Sequence, residues 1–129
     1  MRVLALDFGA ARTGVAVSDA TGTIARPLGV VERAATPAGL ARIGELVTRE
    51  EAERVVVGLP LTLRGDRGSQ AEATEEFVRA LREVIQVPVE TYDERFTTTL
   101  ASKGGGEAPE DARAAAHLLE SYLDWAAAR

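Results

Sequence analysis

The chain opens with an apolar run that ends at a single carboxylate, and no other stretch constrains the fold as much. Residues Arg2 to Gly9 place Asp7 directly after the run and a glycine two positions later. A second β-rich run, Gly14 to Asp19, follows a short turn, so we expect the two runs to pair as an antiparallel hairpin. Asp7 then lies at the mouth of the hairpin, where a desolvated carboxylate requires a cation. Either a divalent metal or an ion pair with Arg12 would meet that requirement.

Length and composition predict one soluble domain spanning residues 1–129. The sequence has no cysteine, which excludes disulfides and thiolate metal sites. Met1 leads into the first strand without a basic or apolar leader, and no apolar run has membrane-spanning length, so we expect a cytoplasmic protein without a membrane partner. A net charge of -5 argues against non-specific wrapping of nucleic acid but is compatible with a local binding patch.

The next elements predict a β-α-β crossover. Residues 23–32 form a third strand in which Pro27 marks a bulge or an edge. Thr36 caps a helix that begins at Pro37 and runs to about Glu50. Residues 54–58 contain three consecutive valines, as expected for a central parallel strand that is buried on both faces.

A loop with two arginines, Arg64 and Arg67, follows this strand between Gly58 and Gly68. It lies at the carboxyl end of the strand, where open α/β sheets bind their ligands. Ser69 and Glu72 match a capping box for the next helix, which carries an apolar stripe. The glycine-rich stretch 103–106 further along has no strand before it, so it is a break rather than a phosphate loop.

Two adjacent acids end the fifth strand, which covers residues 87–92. Side chains alternate between the faces of a strand, so Asp93 and Glu94 are not expected to serve one site together. The last helix begins at Pro109, and its buried stripe starts with an acid, Asp111. Helix-dipole stabilisation is one explanation for Asp111, but the neighbouring acids of that turn lie on faces that solvent reaches. We therefore predict that Asp111 points toward the sheet and acts there.

Asp7, one of the fifth-strand acids, and Asp111 are predicted to converge at one edge of a mixed sheet. Converging carboxylates with no compensating lysine indicate Mg²⁺ or Mn²⁺, which bind hard oxygen ligands and bridge to phosphate. Such a site hydrolyses phosphodiester bonds. A Ser/His/Asp triad and a Cys/His pair are excluded because cysteine is absent and the sole histidine has no nucleophile nearby in the sequence.

Four blocks of residues follow one another along nearly the whole chain: residues 6–19, residues 57–61 with Gly65, residues 93–98, and residues 111–124. In these blocks and in their order the chain resembles the YqgF family, also called RuvX, whose members are relatives of the RuvC Holliday-junction resolvase. The resemblance implies an α/β, RNase H-like fold, with a mixed five-stranded sheet and helices on both faces. It also implies a metal-dependent endonuclease that processes the 5′ end of pre-16S rRNA, with pre-rRNA, branched DNA and ribosomal particles as partners.

By the same resemblance, the family's acidic positions, which are catalytic and metal-binding, fall on Asp7, Glu94 and Asp111. The candidates for phosphate contact are the four arginines Arg12, Arg64, Arg67 and Arg95. The chain differs from the family pattern between Thr98 and Asp111, where the link is short, rich in glycine, and holds Lys103 as its single basic residue. Fewer phosphate contacts there would weaken binding and flatten its salt dependence.

Three other functions are compatible with parts of the sequence. One is cleavage of Holliday junctions in DNA, and another is a non-catalytic RNA-binding module in ribosome assembly, which the acidic pI and the missing basic stretch favour. The third is an ATPase or sugar kinase, because Asp7, Gly9 and Gly14 also resemble the first phosphate-binding hairpin of actin-like kinases. Those kinases enclose their nucleotide between two such domains, and this length supplies one.

Overall fold

A computed structural model of the chain describes residues 1–62, 64–96 and 108–129. The predicted break at residues 103–106, with Lys103, lies outside these residues. The elements, in chain order, are β1 (Val3–Asp7), β2 (Arg12–Ser18), β3 (Ala25–Glu32), α1 (Pro37–Arg49), β4 (Arg54–Leu59), α2 (Ser69–Val84), β5 (Val89–Asp93), a 3₁₀ turn (Glu94–Phe96) and α3 (Glu110–Ala127).

The five strands form one mixed sheet in the order β3-β2-β1-β4-β5. The first three strands are antiparallel neighbours, and Asp7 at the end of β1 pairs with Gly14 of β2. Strands β1, β4 and β5 run parallel to one another. Their carboxyl ends therefore meet at the same edge of the sheet, and the chain segments that follow them begin there. The predicted hairpin, the central parallel strand and the mixed five-stranded sheet are confirmed.

Strand alternation divides the core between the two faces of the sheet. Leu4 and Leu6 of β1 pack on one face with α1 and α2, whereas Val3 and Ala5 pack on the other face with α3. Asp7 continues the second series and therefore projects from the α3 face. None of the described helices has the length and apolar character needed to cross a membrane.

The prediction for the cap of α1 is confirmed, whereas that for α2 is wrong. The Thr36 hydroxyl accepts a hydrogen bond from the Gly39 backbone N–H at 3.1 Å, and Pro37 is the first helical residue. Ser69 cannot cap α2 because it already lies inside the helix, where its hydroxyl is past the capping position. The N-cap is Gly68, which has no side chain to offer. The last helix, by contrast, begins one residue later than predicted, with Pro109 as its N-cap.

The predicted irregularity at Pro27 is also present. Strand β3 is an edge of the sheet, and its register against β2 shifts between Val15 and Ala16. Gly29 pairs with Val15 and Pro27 with Ala16, which leaves Leu28 as the extra residue of a bulge. Proline is tolerated at such a position because its missing N–H removes no bond from the interior of the sheet. The strand itself starts at Ala25, two residues after the predicted start.

Candidate active site

Asp7 occupies the end of β1, at the edge where the three parallel strands end. Its side chain is half-buried, and among the described residues none donates a hydrogen bond to its carboxylate. Burial, together with repulsion from Asp111, raises the pKa of Asp7 above its usual value. The end of the first strand therefore carries a carboxylate that is costly to keep ionised without a cation.

Glu94 reaches the same region from the turn after β5. It begins the 3₁₀ turn Glu94–Phe96, and its side chain lies against Gly58 of β4. Burial raises the pKa of Glu94 to about 7, with further contributions from the negative charges of Asp7 and Asp93. The three acids form two pairs, Asp7 with Glu94 and Asp7 with Asp111, in which the negative charges repel each other. Asp7 is the acid that belongs to both pairs.

Asp111 is in the first turn of α3, as the stripe of that helix predicts. Its Oδ2 lies 2.7 Å from Nη2 of Arg12 at the start of β2. The same oxygen is buried and, among the described residues, accepts no hydrogen bond of good geometry. The suggested ion pair of Arg12 with Asp7 is therefore wrong, because the helix start brings a different acid to the guanidinium.

Asp93 is engaged elsewhere. Its carboxylate accepts a hydrogen bond from the Arg95 backbone N–H at 2.9 Å and two from Nε of the same residue, at 3.1 and 3.0 Å. Hydrogen bonding with Arg95 lowers the pKa of Asp93. Asp93 thus accepts a hydrogen bond from the backbone at the strand end, through the N–H of Arg95. Thr97 and Thr98, near which such a bond is also expected from the sequence, lie outside the described residues.

The four candidate phosphate-binding arginines differ in their surroundings. Arg12 pairs with Asp111, and Arg67 forms an ion pair with Glu75 of α2. Arg95 pairs with Asp93 and also lies against Gly65 of the loop that follows β4. The side chain of Arg64 is 90% exposed, with the Asp66 carboxylate 4.0 Å from its Nε. The structure places Arg64 and Arg67 in this loop, and Arg95 against it.

A cavity of about 220 Å³ adjoins Asp7 and Glu94. Besides these acids it is lined by Phe8, Gly9 and Ala10 of the turn after β1, by Pro60, and by Gln70, Ala73 and Thr74 of the first turns of α2. The α2 residues of this lining are not among the site residues predicted from the sequence. The sequence of elements β4, loop and α2 could have predicted their presence, because a helix that follows a parallel strand begins near the edge of the sheet where ligands bind.

The donor set matches a hard divalent cation in chemistry. All three acids offer oxygen ligands, and Asp111 Oδ2 is a buried oxygen that lacks a hydrogen-bond donor in the described structure. Within residues 1–62, 64–96 and 108–129, no group of three acidic or imidazole side chains is already arranged around one ion position. Asp7 lies next to both Glu94 and Asp111, and Arg12 neutralises Asp111.

The raised pKa of Glu94 predicts that the metal-free protein loses stability between about pH 4.5 and pH 7. Between these pH values Glu94 is protonated in the folded state but ionised in the unfolded state. The stability that this bound proton contributes is therefore full below pH 4.5 and declines as pH rises. After allowance for partial solvent access, we expect a loss of about 1–2 kcal/mol. Chemical unfolding at several pH values measures it, and Glu94→Gln should flatten that part of the profile. An unchanged profile in the variant would contradict the assignment.

The strand order of the sheet and the packing of α3 on one of its faces are those of an RNase H-like fold. A solved structure of Thermus thermophilus RuvC in complex with a Holliday junction substrate superposes with a TM-score of 0.70 at 19% identity, over 99% of this chain and 96% of the other. The family model for RuvX, described as Holliday junction resolvase, matches residues 1–125. The chain belongs to the RuvX family, as its resemblance to that family predicts.

Relatives of higher identity carry a name that refers to RNA. A protein from Chloroflexus aurantiacus, named as a proposed pre-16S rRNA nuclease, is 41% identical over 131 residues, covering 95% of this chain and 86% of its own length. A relative of the same name from Caldanaerobacter subterraneus is 40% identical over 134 residues and covers 96% of both chains.

Proposed function

We propose that this protein is an endonuclease that hydrolyses phosphodiester bonds with the help of Mg²⁺ or Mn²⁺, and that its substrate is the 5′ end of pre-16S rRNA. The observation that carries the proposal is the meeting of Asp7, Glu94 and Asp111, from three separate elements, at one edge of the sheet. Two of these acids have a raised pKa with no compensating lysine, as expected where a cation is to bind. Residues 1–129 act in this proposal as one nuclease domain.

Asp7, Glu94 and Asp111 would hold the cation, with Asp7 at the centre because it adjoins the other two. When bound, a divalent cation offsets the charge that develops on the phosphate and makes a water molecule more acidic. The protein contributes the rigid placement of the three carboxylates on a strand end, a turn and a helix start. Arg12, which forms an ion pair with Asp111, would contact the substrate phosphate beside that acid.

Arg64, Arg67 and Arg95 would contact the phosphate backbone on the β4 side of the acids. The loop between Gly58 and Gly68 begins at the same sheet edge, and Arg95 lies against Gly65 of that loop. This role makes nucleic acid the partner, and pre-16S rRNA is the substrate in the names of the relatives. We infer that this RNA is cleaved within assembling ribosomal particles. Such a substrate would place the enzyme in the cytoplasm of a bacterium.

Cleavage of Holliday junctions is the second candidate function. It is favoured by the description of the RuvX family and by the similarity of the fold to that of RuvC. Both functions use the same acids, so the geometry of the carboxylates does not separate them. The substrate does, because a junction is branched duplex DNA whereas the precursor is RNA and carries 2′-hydroxyl groups.

The test is incubation of the protein with three substrates in Mg²⁺ or Mn²⁺: a 5′-extended 16S rRNA precursor, an unrelated single-stranded RNA and a four-way DNA junction. Site-specific cleavage of the precursor supports the proposal, and cleavage of the junction alone transfers it to the second function. A thermal melt with increasing Mn²⁺ tests the site itself, since a binding module without a metal site would show no specific shift. Melting is preferable to tryptophan fluorescence because Trp125 packs at tilted angles against Tyr92 and Tyr122 near the far end of α3, away from the three acids.

Removing the loop arginines is expected to weaken RNA binding without changing the chemistry. Arg64→Ala and Arg67→Ala should each reduce the slope of log affinity against log salt by about one phosphate contact. Arg67→Ala should also cost up to about 1 kcal/mol of stability, because it loses an exposed ion pair with Glu75. Binding to the RNA precursor across a salt series measures the slope. The matched control is Arg79→Ala, an exposed position further along α2; a double variant that behaves like this control would exclude the loop from the substrate path.

A further inference from the structure

Two glycines flank Asp7 in the sheet, and both face α3. Gly14 pairs directly with Asp7 across the β1-β2 ladder. On the other side Leu6 pairs with Val57, so the next residue of β4, Gly58, lies beside Asp7. Gly14 and Gly58 are each two residues from a member of the α3-side core, Ala16 and Val56, and strand alternation therefore places them on that face.

The glycine on β2 is the contact point of α3. A Cβ built at Gly14 would lie 1.8 Å from the carbonyl oxygen of Asp111 and 3.0 Å from the backbone nitrogen of Ala112. The first turn of α3 therefore rests directly on the backbone of β2, with no side chain between them. This contact places Asp111 next to the strand that carries Asp7.

The glycine on β4 makes the corresponding contact with the third acid. A Cβ at Gly58 would lie 2.8 Å from Cγ of Glu94 and 2.9 Å from its Oε2. Here the colliding group is a side chain and not the backbone. The carboxylate of Glu94 thus reaches toward Asp7 across a position that any other residue type would fill.

The need at these positions is for space and not for an unusual backbone. Among the described residues, the glycines with a left-handed φ are Gly22 and Gly65. Gly29, in the neighbouring strand β3, is also a strand glycine, and apart from its own chain neighbours no heavy atom of the described residues would lie within 4 Å of a Cβ there. Glycine weakens a strand interior, so its presence at Gly14 and Gly58 indicates a close approach that a side chain would block.

We propose that Gly14 and Gly58 are positioning residues of the active site, and that their missing side chains seat Asp111 and Glu94 beside Asp7. The proposal rests on the proposed function, because it assumes that these three acids bind the cation together. It assigns the assembly of the site to a row of three residues, Gly14, Asp7 and Gly58, on adjacent strands. A methyl group at either end of the row would separate one acid from Asp7 without removing any ligand.

Gly58→Ala is the sharper test, because Glu94 is flexible enough to move away from the new methyl group. We expect a small change in Tm, a Mn²⁺ affinity lowered about 10-fold or more by calorimetry, and a kcat lowered about 100-fold with little change in KM. Gly29→Ala is the matched control and should leave all four quantities as in the wild type. A residue that only stabilised the fold would instead shift Tm and leave Mn²⁺ affinity unchanged.

In Gly14→Ala the new methyl group meets backbone atoms of α3, so this variant should lose stability as well as metal affinity. We expect Tm to fall by about 5 °C or more, because the first turn of α3 has to move away from β2. The folded fraction should also bind Mn²⁺ more weakly than Gly29→Ala does. If this variant fails to fold, Gly58→Ala still decides the proposal.

A double variant separates the glycine from the ligand. Glu94→Gln should weaken Mn²⁺ binding, and adding Gly58→Ala to it should cause no further loss, because Gly58 acts only through Glu94. A further loss in the double variant would overturn the proposal, as would a Gly58→Ala protein that binds Mn²⁺ and cleaves RNA like Gly29→Ala. Wild-type affinity and cleavage in Glu94→Gln itself would instead refute the proposed metal site.

Discussion

Asp7→Asn is expected to abolish metal-dependent cleavage while the fold stays intact. The amide is nearly isosteric with the carboxylate but brings no charge to hold a divalent cation. Asp7 is also the acid that adjoins both of the others, so its loss affects the whole ligand set. We expect kcat to fall on the order of 10²–10³-fold or more.

The same substitution should stabilise the metal-free protein. Burial and the charge of Asp111 raise the pKa of Asp7, which means that the ionised form is disfavoured in the folded state. A neutral amide relieves this cost, and Tm in EDTA should rise by about 2–6 °C. Asp124→Asn, at an exposed position late in α3, is the control and should change neither quantity. Cleavage by Asp7→Asn at the wild-type rate in Mg²⁺ would show that the site lies elsewhere.

The second large effect separates the neighbouring acids Asp93 and Glu94. Glu94→Gln should lower the rate by orders of magnitude with little loss of stability, since no described residue donates a hydrogen bond to its carboxylate and burial already disfavours its charge. Asp93→Asn should keep most of its activity. It should lose stability, because the Asp93 carboxylate holds the Arg95 backbone N–H at 2.9 Å and also binds the guanidinium of that residue.

Cleavage and thermal melting measured on both variants in parallel decide between these roles. We expect Asp93→Asn to have a lower Tm than the wild type, because the charge-assisted hydrogen bonds to Arg95 weaken when the acceptor becomes neutral. An inactive but fully stable Asp93→Asn beside an active Glu94→Gln would reverse the assignment. Loss of activity in both variants would show that Arg95, held by Asp93, is itself required for turnover.

Local sequence rules determined most of the elements. The apolar run before Asp7, the three valines of β4 and the stripe of α3 each encode burial on one or two faces, and the backbone follows from that. The cap at Thr36 was readable for the same reason, because a hydroxyl and the N–H it accepts from are three residues apart in the chain. The choice of Asp7, Glu94 and Asp111 as ligands came from family resemblance together with this pattern, and it stays a prediction until the variants are measured.

Contacts between distant segments decided the rest. The sequence placed Arg12 near Asp7, but the three-dimensional structure gives it to Asp111, 99 positions further along, because α3 crosses β2 at Gly14. It also matched Ser69 to a capping box, whereas the N-cap of α2 is one residue earlier, at Gly68. Gly14 and Gly58 are ordinary glycines in the sequence. Their proposed role follows only from the groups that contact them, the backbone of Asp111 and the side chain of Glu94. Residue spacing along the chain specifies burial and local hydrogen bonds. Which cation lies next to an acid depends instead on how closely two elements that are distant in the sequence pack together.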